Sequence, residues 1–238
     1  MYSFDARIRY SETGPDARLR VMSMINYLQD CCVLHCKDQG VSVSRLAEEG
    51  RAWYLLGWQI HVRRLPRLSE RVTVSTWPYD FSKLTVGRCF AMHGADGEPC
   101  VEADSSWCLM DLARQRPVHA SDEIVDALLD PADRRLDLPA MRRKIALEGE
   151  GEPAAPIEVA KAHLDTNRHV NNVQYVEMAL EALDVREADV ARIDVQYKNA
   201  AVLGDTIVPV VRRGEDSGTV DMADPDGRTF AVAKVYAR

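Results

Sequence analysis

Between Met22 and Lys37 the apolar residues Met22, Ile25, Leu28, Cys32 and Cys36 recur at three- and four-residue intervals, the spacing that gathers one stripe on a helix. Gly40 follows as a stop signal, so a long amphipathic helix is predicted there. Beyond it, 53–62, 71–77, 84–92 and 100–109 alternate or form short β-rich runs, separated by turn residues such as Ala95-Asp96-Gly97. The second half repeats the plan. Val173, Val176, Leu180 and Leu183 mark a helix, and 193–197, 206–211, 218–222 and 229–236 read as strands. A helix followed by an antiparallel sheet, twice over, predicts an α+β fold built by duplication.

The two halves align in two registers. Setting Asn26-Tyr27-Leu28-Gln29 on Gln174-Tyr175-Val176-Glu177 offsets the helices by 148 residues, while setting Ile60-His61-Val62 on Val195-Gln196-Tyr197 offsets the strands by 135. The difference predicts an insertion of 13 residues in the first half, around Val41–Arg51. Between the halves, Asp130–Pro156 carries Pro131, Pro139, Pro153 and Pro156 with mixed charge and reads as a linker crossing the surface. The predicted division is 1–140 for the N-terminal repeat, 141–155 for the linker and 156–238 for the C-terminal repeat. The cluster Arg142-Arg143-Lys144 is either a solvated face or a dock for an acidic carrier protein.

Composition removes several classes of function. The 238 residues are 46% apolar and 28% charged, ample for a buried core. A net charge of −7, without a basic stripe interleaved with aromatics, speaks against nucleic-acid binding. No apolar run approaches the ~20 residues of a membrane span, and Met1-Tyr2-Ser3-Phe4-Asp5 leads into a strand-like segment with no signal or transit pattern. The cysteines (Cys31, Cys32, Cys36, Cys89, Cys100 and Cys108) form no doubled CxxC and read as reduced core thiols of a cytoplasmic protein. No metal or cofactor is expected.

Candidate chemistry concentrates in His163–Leu183, HLDTNRHVNNVQYVEMALEAL. If the polar run is extended, Asp165, Asn167 and His169 project on one side. Asn171 and Asn172 then start a helix whose first N–H groups lack intrahelical partners, and those donors suit a carbonyl oxygen gaining negative charge. Taken singly, each residue has an ordinary explanation as a turn former, a surface histidine or a helix cap. Three side chains at i, i+2 and i+4 followed by two asparagines are more than a cap requires, so the stretch is a candidate site. Glu177 and Glu181 share a helix face and read first as solvated carboxylates, with Glu177 the reserve base; Tyr175 and Trp58 read as core aromatics. The other histidines show no ligand spacing.

The run from Leu164 to Tyr175 resembles the signature of acyl-acyl carrier protein thioesterases, D-x-N-x-H-V-N-N-x-x-Y. Met24–Asp30, Leu65-Pro66-Arg67, Val74–Pro78 and Ser106–Asp111 with Arg116-Pro117-Val118 are similar to other segments of that family, from about Phe4 to Tyr236. The resemblance implies a tandem (double) hotdog, each half an antiparallel sheet wrapped around a long central helix. It also implies hydrolysis of acyl-acyl carrier protein to free fatty acid, with acyl carrier protein as partner and the first repeat shaping the acyl pocket. Asp165 would be the base, Asn167 would position water, His169 would assist the thioester or leaving thiol, and helix N-terminal amides would hold the oxyanion.

At the offset of 148 those three residues fall on Ala17, Leu19 and Val21, so one active site per chain is expected. One departure stands out. Where plant-like members carry a Glu followed by a Cys, this chain has Ala200-Ala201, which rules out both a cysteine nucleophile and a glutamate base at those positions. An acyl-CoA thioesterase and a non-catalytic acyl-thioester binder are the alternatives. Either a monomer or a homodimer is compatible with a chain that already pairs two hotdogs.

Overall fold

Both long helices form where the apolar stripe falls, and each buries that stripe on the sheet of its own half. The structure, a computed structural model, describes residues 1–82, 84–142 and 144–238. Contacts between residues divide it into two units, Met1–Leu56 with Val62–Met141, and Gly57–His61 with Arg142–Arg238. In the first unit lie strands β1 (Tyr2–Arg7), β2 (Arg51–Val62, less its middle residues Gly57–His61), β3 (Arg71–Asp80), β4 (Val86–Gly94), β5 (Pro99–Asp111) and β6 (Arg116–Val118), with helices α1 (Val21–Asp38), α2 (Val43–Glu48) and α3 (Asp122–Leu128). The second holds β7 (Glu152–Pro153), β8 (Ile157–Glu158), α4 (Asn172–Leu183), β9 (Val190–Tyr197), β10 (Thr206–Arg213), β11 (Ser217–Ala223) and β12 (Thr229–Ala237).

The sheets share one topology. The first runs β1-β3-β4-β5-β2 and the second β7-β10-β11-β12-β9, with antiparallel pairing throughout the ladders. Helix α1 packs on β1, β3 and β4, and α4 on β10, β11 and β12. Met24, Ile25, Leu28, Cys31, Cys32 and Cys36 are buried on α1, whereas Met22 stays half-buried. On α4 the buried face is Val173, Val176, Ala179, Leu180 and Leu183, with Tyr175 and Met178 beside it. Gly40 turns the chain after α1 at φ 75°, a region open to glycine. This is the α+β double hotdog architecture expected.

Hydrogen bonds fix the register of the duplication and correct one offset. Gly14 N–H donates to Arg18 O, Arg20 N–H to Glu12 O and Leu19 N–H to Pro66 O; their counterparts are Asp165 to His169, Asn171 to His163 and Val170 to Ala201. The strand offset of 135 therefore holds, since Pro66 answers to Ala201, but the helix offset is 151 rather than 148. A slip of three residues is close to one helical turn, so it leaves the apolar stripe facing nearly the same way and the sequence cannot detect it. The insertion grows from 13 to 16 residues and contains α2, whose cap Ser42 Oγ accepts the Arg45 N–H at 3.2 Å. Helices α2 and α3 were not read from the sequence, being too short to show a period.

Part of the expected linker is strapped to the first unit. Arg135 Nε donates to Asp104 Oδ2 at 2.7 Å and Trp77 Nε1 to the Arg134 carbonyl at 2.7 Å. Tyr79 Oη donates to the other Asp104 oxygen at 3.0 Å. Arg142 and Lys144 are exposed, while Arg143 lies outside the described residues. All six cysteines are free and buried. Among the described residues no helix is long and apolar enough to cross a membrane, and no cluster of His, Cys, Asp or Glu could hold a metal ion.

Two predictions follow from close packing and burial. Gly57 pairs with Gln196, and a Cβ on it would lie 2.6 Å from the Val195 carbonyl oxygen, a backbone atom that cannot rotate away. Gly57→Ala is expected to destabilise the fold by about 1–3 kcal/mol, read by chemical denaturation. His35 is 5% exposed, and burial together with the neighbouring Arg88 pulls its pKa down from the ordinary 6.5 to about 4. The folded state therefore holds this ring neutral, and the stability that it contributes is complete above about pH 6.5 and lost as the pH falls towards 4. Going from pH 7 to pH 5 should cost about 2 kcal/mol through this group, a loss that is absent in His35→Gln.

Candidate active site

The stretch Leu164–Val170 is not extended, contrary to the sequence reading. Leu164 bridges Val170, Asp165 N–H donates to His169 O at 2.8 Å, and Arg168 N–H donates to Asp165 O at 3.1 Å. Arg168 takes the left-handed conformation at φ 61°. The Asp165 carboxylate holds this turn from inside: Oδ1 accepts the N–H of Asn167 at 2.8 Å and of His169 at 3.2 Å. An aspartate that satisfies local N–H groups competes with strand pairing, which is why the chain reverses.

The turn brings together only part of the expected trio. Asp165 Oδ2 faces Asn167 Nδ2 at 3.5 Å. His169 is half-buried and bridges Val202, and its imidazole makes no hydrogen bond among the described residues. Asp165 is half-buried and Asn167 exposed. One carboxylate oxygen is thus committed to the backbone, while the other has a single long contact.

The helix start that follows is anchored at several points. Asn171 is its cap, with Oδ1 accepting the Val173 N–H at 3.2 Å and its carbonyl accepting the Gln174 N–H at 2.9 Å. Of the expected oxyanion donors, these two are already engaged, and the Asn172 N–H has no acceptor among the described residues. Tyr197 Oη donates to the Asn172 carbonyl at 3.0 Å, and Tyr175 Oη accepts the Ala201 N–H at 3.0 Å. Their rings meet edge to face at 6.1 Å. Burial pushes the Tyr175 phenol up to about 12 and raises Tyr197 as well, so both stay protonated at neutral pH. Tyr197 was missed from the sequence, where its one signal was a tyrosine ending a strand.

Ala201 is fully buried and Ala200 exposed. Glu177 is half-buried on α4 and Glu181 exposed, so the two carboxylates do not share an environment. At the corrected offset the first unit places Gly14, Asp16 and Arg18 where the second has Asp165, Asn167 and His169, replacing the earlier match to Ala17, Leu19 and Val21. The loop backbone is built twice, with Asp165 Oδ1 accepting two loop N–H groups in the second copy and Asp16 Oδ1, two positions further on, accepting the Arg18 N–H at 3.1 Å in the first.

This topology defines a double hotdog with a polar turn ahead of the second central helix, and comparisons with known proteins extend the likeness over the whole chain. The sequence models for the acyl-ACP thioesterase N-terminal and C-terminal domains match residues 1–128 and 150–224. The chain belongs to the acyl-ACP thioesterase family. It is 22% identical over 236 residues to a chloroplastic acyl-acyl-carrier-protein hydrolase of Cuphea viscosissima, covering 93% of this chain and 55% of that one. To the oleoyl-acyl carrier protein thioesterase 2 of Arabidopsis thaliana it is 25% identical over 207 residues, covering 79% and 56%. The chain therefore spans about half the length of the curated relatives it matches. Among solved structures, an acyl-ACP thioesterase of Bacteroides thetaiotaomicron superposes with a TM-score of 0.89 at 22% identity, over 99% of this chain and 97% of that one. The 12:0-ACP thioesterase of Umbellularia californica gives 0.84 at 20%, over 100% and 96%.

The Asp165 turn makes a stability prediction that is separate from chemistry. Asp165→Asn keeps an oxygen to accept the two N–H groups and should unfold within about 0.5 kcal/mol of the native protein, whereas Asp165→Ala should lose about 1–2 kcal/mol, both read from denaturant midpoints.

Proposed function

We propose that this protein hydrolyses acyl thioesters carried on acyl carrier protein, releasing free fatty acid. The observation that carries the reading is that both domain models of the thioesterase family match in order along the chain. We take 1–140 as the N-terminal repeat, 141–155 as the linker and 156–238 as the repeat that carries the chemistry. All cysteines are free, which fits a reducing cytoplasm. Neither cofactor nor metal enters this scheme.

In this mechanism the thioester carbonyl lies at the start of α4 with its oxygen towards the Asn172 N–H. Asp165 has Oδ1 fixed by the turn and offers Oδ2 to a water. That carboxylate accepts a proton as the water attacks the carbonyl carbon, giving a tetrahedral oxyanion. Asn167, beside Oδ2, orients the water. Collapse of the oxyanion expels the thiolate, and His169 supplies or relays the proton that the leaving thiol takes up. A single such site operates per chain, because the first unit has Gly14 at the position of Asp165.

The alanines at 200 and 201 favour, as a second reading, a protein that binds acyl thioesters without hydrolysing them. Hydrolysis of dodecanoyl groups on acyl carrier protein and on coenzyme A should be compared for the native protein and Asp165→Asn. The expected result is a higher kcat/KM on the carrier protein, with the variant slower by about two to four orders of magnitude. A higher kcat/KM on coenzyme A would make the protein an acyl-CoA thioesterase; carrier binding with no turnover, extended to acyl groups from 8 to about 18 carbons, would make it a binder; near-native turnover by Asp165→Asn would remove Asp165 as base.

A further inference from the structure

Two of the buried thiols, Cys32 and Cys36, differ from the rest in their surroundings. Both belong to the buried stripe of α1, at 9% and 5% exposure, one helical turn apart on the same face. They also line one small cavity of the first unit, about 20 Å³, and the cation on its wall is Arg88. Arg88 is 3% exposed, and its Nη1 donates to His35 Nδ1 and to Thr76 Oγ1, each at 3.1 Å. Among the described residues no carboxylate forms an ion pair with it. A positive charge that no carboxylate neutralises favours the thiolate of a neighbouring cysteine.

The other thiols lack these neighbours. Cys31 donates to the Val74 carbonyl at 3.5 Å, and burial pushes its pKa up to about 12, as it also raises Cys89, Cys100 and Cys108. Cys32 goes the other way: the hydrogen bond from Cys36 holds it below the ordinary thiol value, against its burial and with Arg88 adding to the effect. The same hydrogen bond raises Cys36, which keeps its proton. One wall therefore holds a nucleophilic sulfur with a second, protonated sulfur beside it, the arrangement of an attacking and a resolving thiol. A second cavity of about 30 Å³ shares Trp53, Phe81 and Val86 with the first and reaches Leu84, 41% exposed, which gives a small oxidant a route from the surface.

We propose that Cys32 and Cys36 are a peroxide-sensitive pair that closes a disulfide within α1. The Cys32 thiolate attacks one oxygen of hydrogen peroxide and the O–O bond breaks. The sulfur keeps an OH group as a sulfenic acid, and the other oxygen leaves as hydroxide and takes up the proton that Cys32 gave. The Cys36 sulfur then attacks the Cys32 sulfur, forming the S–S bond as the S–O bond breaks, and the departing hydroxide takes the Cys36 proton. Two thiols lose two electrons, and one peroxide is reduced to two waters. Residues four apart on an α-helix have Cα atoms about 6 Å apart, inside the roughly 4.4–6.8 Å that disulfides span, but their Cβ atoms must close from about 5–6 Å to about 4 Å. That closure strains the bond, and strained disulfides are the readily reduced ones, so the modification is reversible. The pair takes no part in the hydrolysis scheme at the Asp165 turn.

Peptide mapping of the full chain tests the proposal. The reduced protein is exposed to a moderate excess of hydrogen peroxide, quenched with catalase, unfolded, alkylated and digested with trypsin. The peptide Val21–Lys37 should lose two hydrogens, with fragmentation placing the bond between Cys32 and Cys36, and dithiothreitol should return both to alkylation. Cys32 should react about tenfold faster or more than Cys89, Cys100 and Cys108. In Cys36→Ser, dimedone should trap a sulfenic acid at Cys32, and Cys32→Ser should leave Cys36 a thiol. A Cys31–Cys32 bond, oxidation of the other thiols at the rate of Cys32, a sulfinic acid as the main product, or full alkylation of Cys32 and Cys36 after treatment would overturn the pair. The native peptide map decides among these whether or not the serine variants fold.

Discussion

Each half of this protein depends on hiding one long helix. An isolated helix of 12 to 18 residues is marginal in water, and α1 and α4 persist because an antiparallel sheet covers the apolar stripe of each. Covering such a stripe constrains everything nearby. The strands must come in an order that keeps the helix against the inner strands, and the chain must enter the helix through a tight reversal. Both units meet these demands with the same strand order and the same backbone hydrogen bonds at the reversal.

The reversal is where structure and chemistry meet. In the first unit it closes with Gly14 and Ala17, the latter left-handed at φ 58°, and no acid takes part at the position of Asp165. In the second, Asp165 uses one oxygen to satisfy two N–H groups and so holds its other oxygen in a defined direction. A residue engaged in this way holds the turn, and in the proposed mechanism it also serves as the base. Tyr175 and Tyr197 then fix the next loop and the helix start relative to the turn.

Buried polar side chains differ in how fully they are paired. Asp104, 1% exposed, has both oxygens engaged by Arg135 and Tyr79. Arg88 is the contrast: it has the burial of a core residue and only neutral partners.

The sequence by itself determined the elements that have a period long enough to read: both long helices, all eight principal strands, the duplication and the family. It also singled out Asp165, Asn167 and His169, because an acid, an amide and an imidazole at alternate positions before a helix exceed what a cap requires. It misjudged what is local but not periodic. The turn reads as a strand because alternation in sequence looks the same whether side chains alternate about a sheet or about an Asx turn, and only the N–H groups reaching Asp165 Oδ1 tell the two apart. The helix register slipped by three residues because one turn of a helix nearly restores its face. The contacts of Tyr197, the Arg135 strap and the hydrogen bonds of Arg88 to His35 and Thr76 depend on residues well apart in the chain, and the tertiary structure alone decides which of them meet.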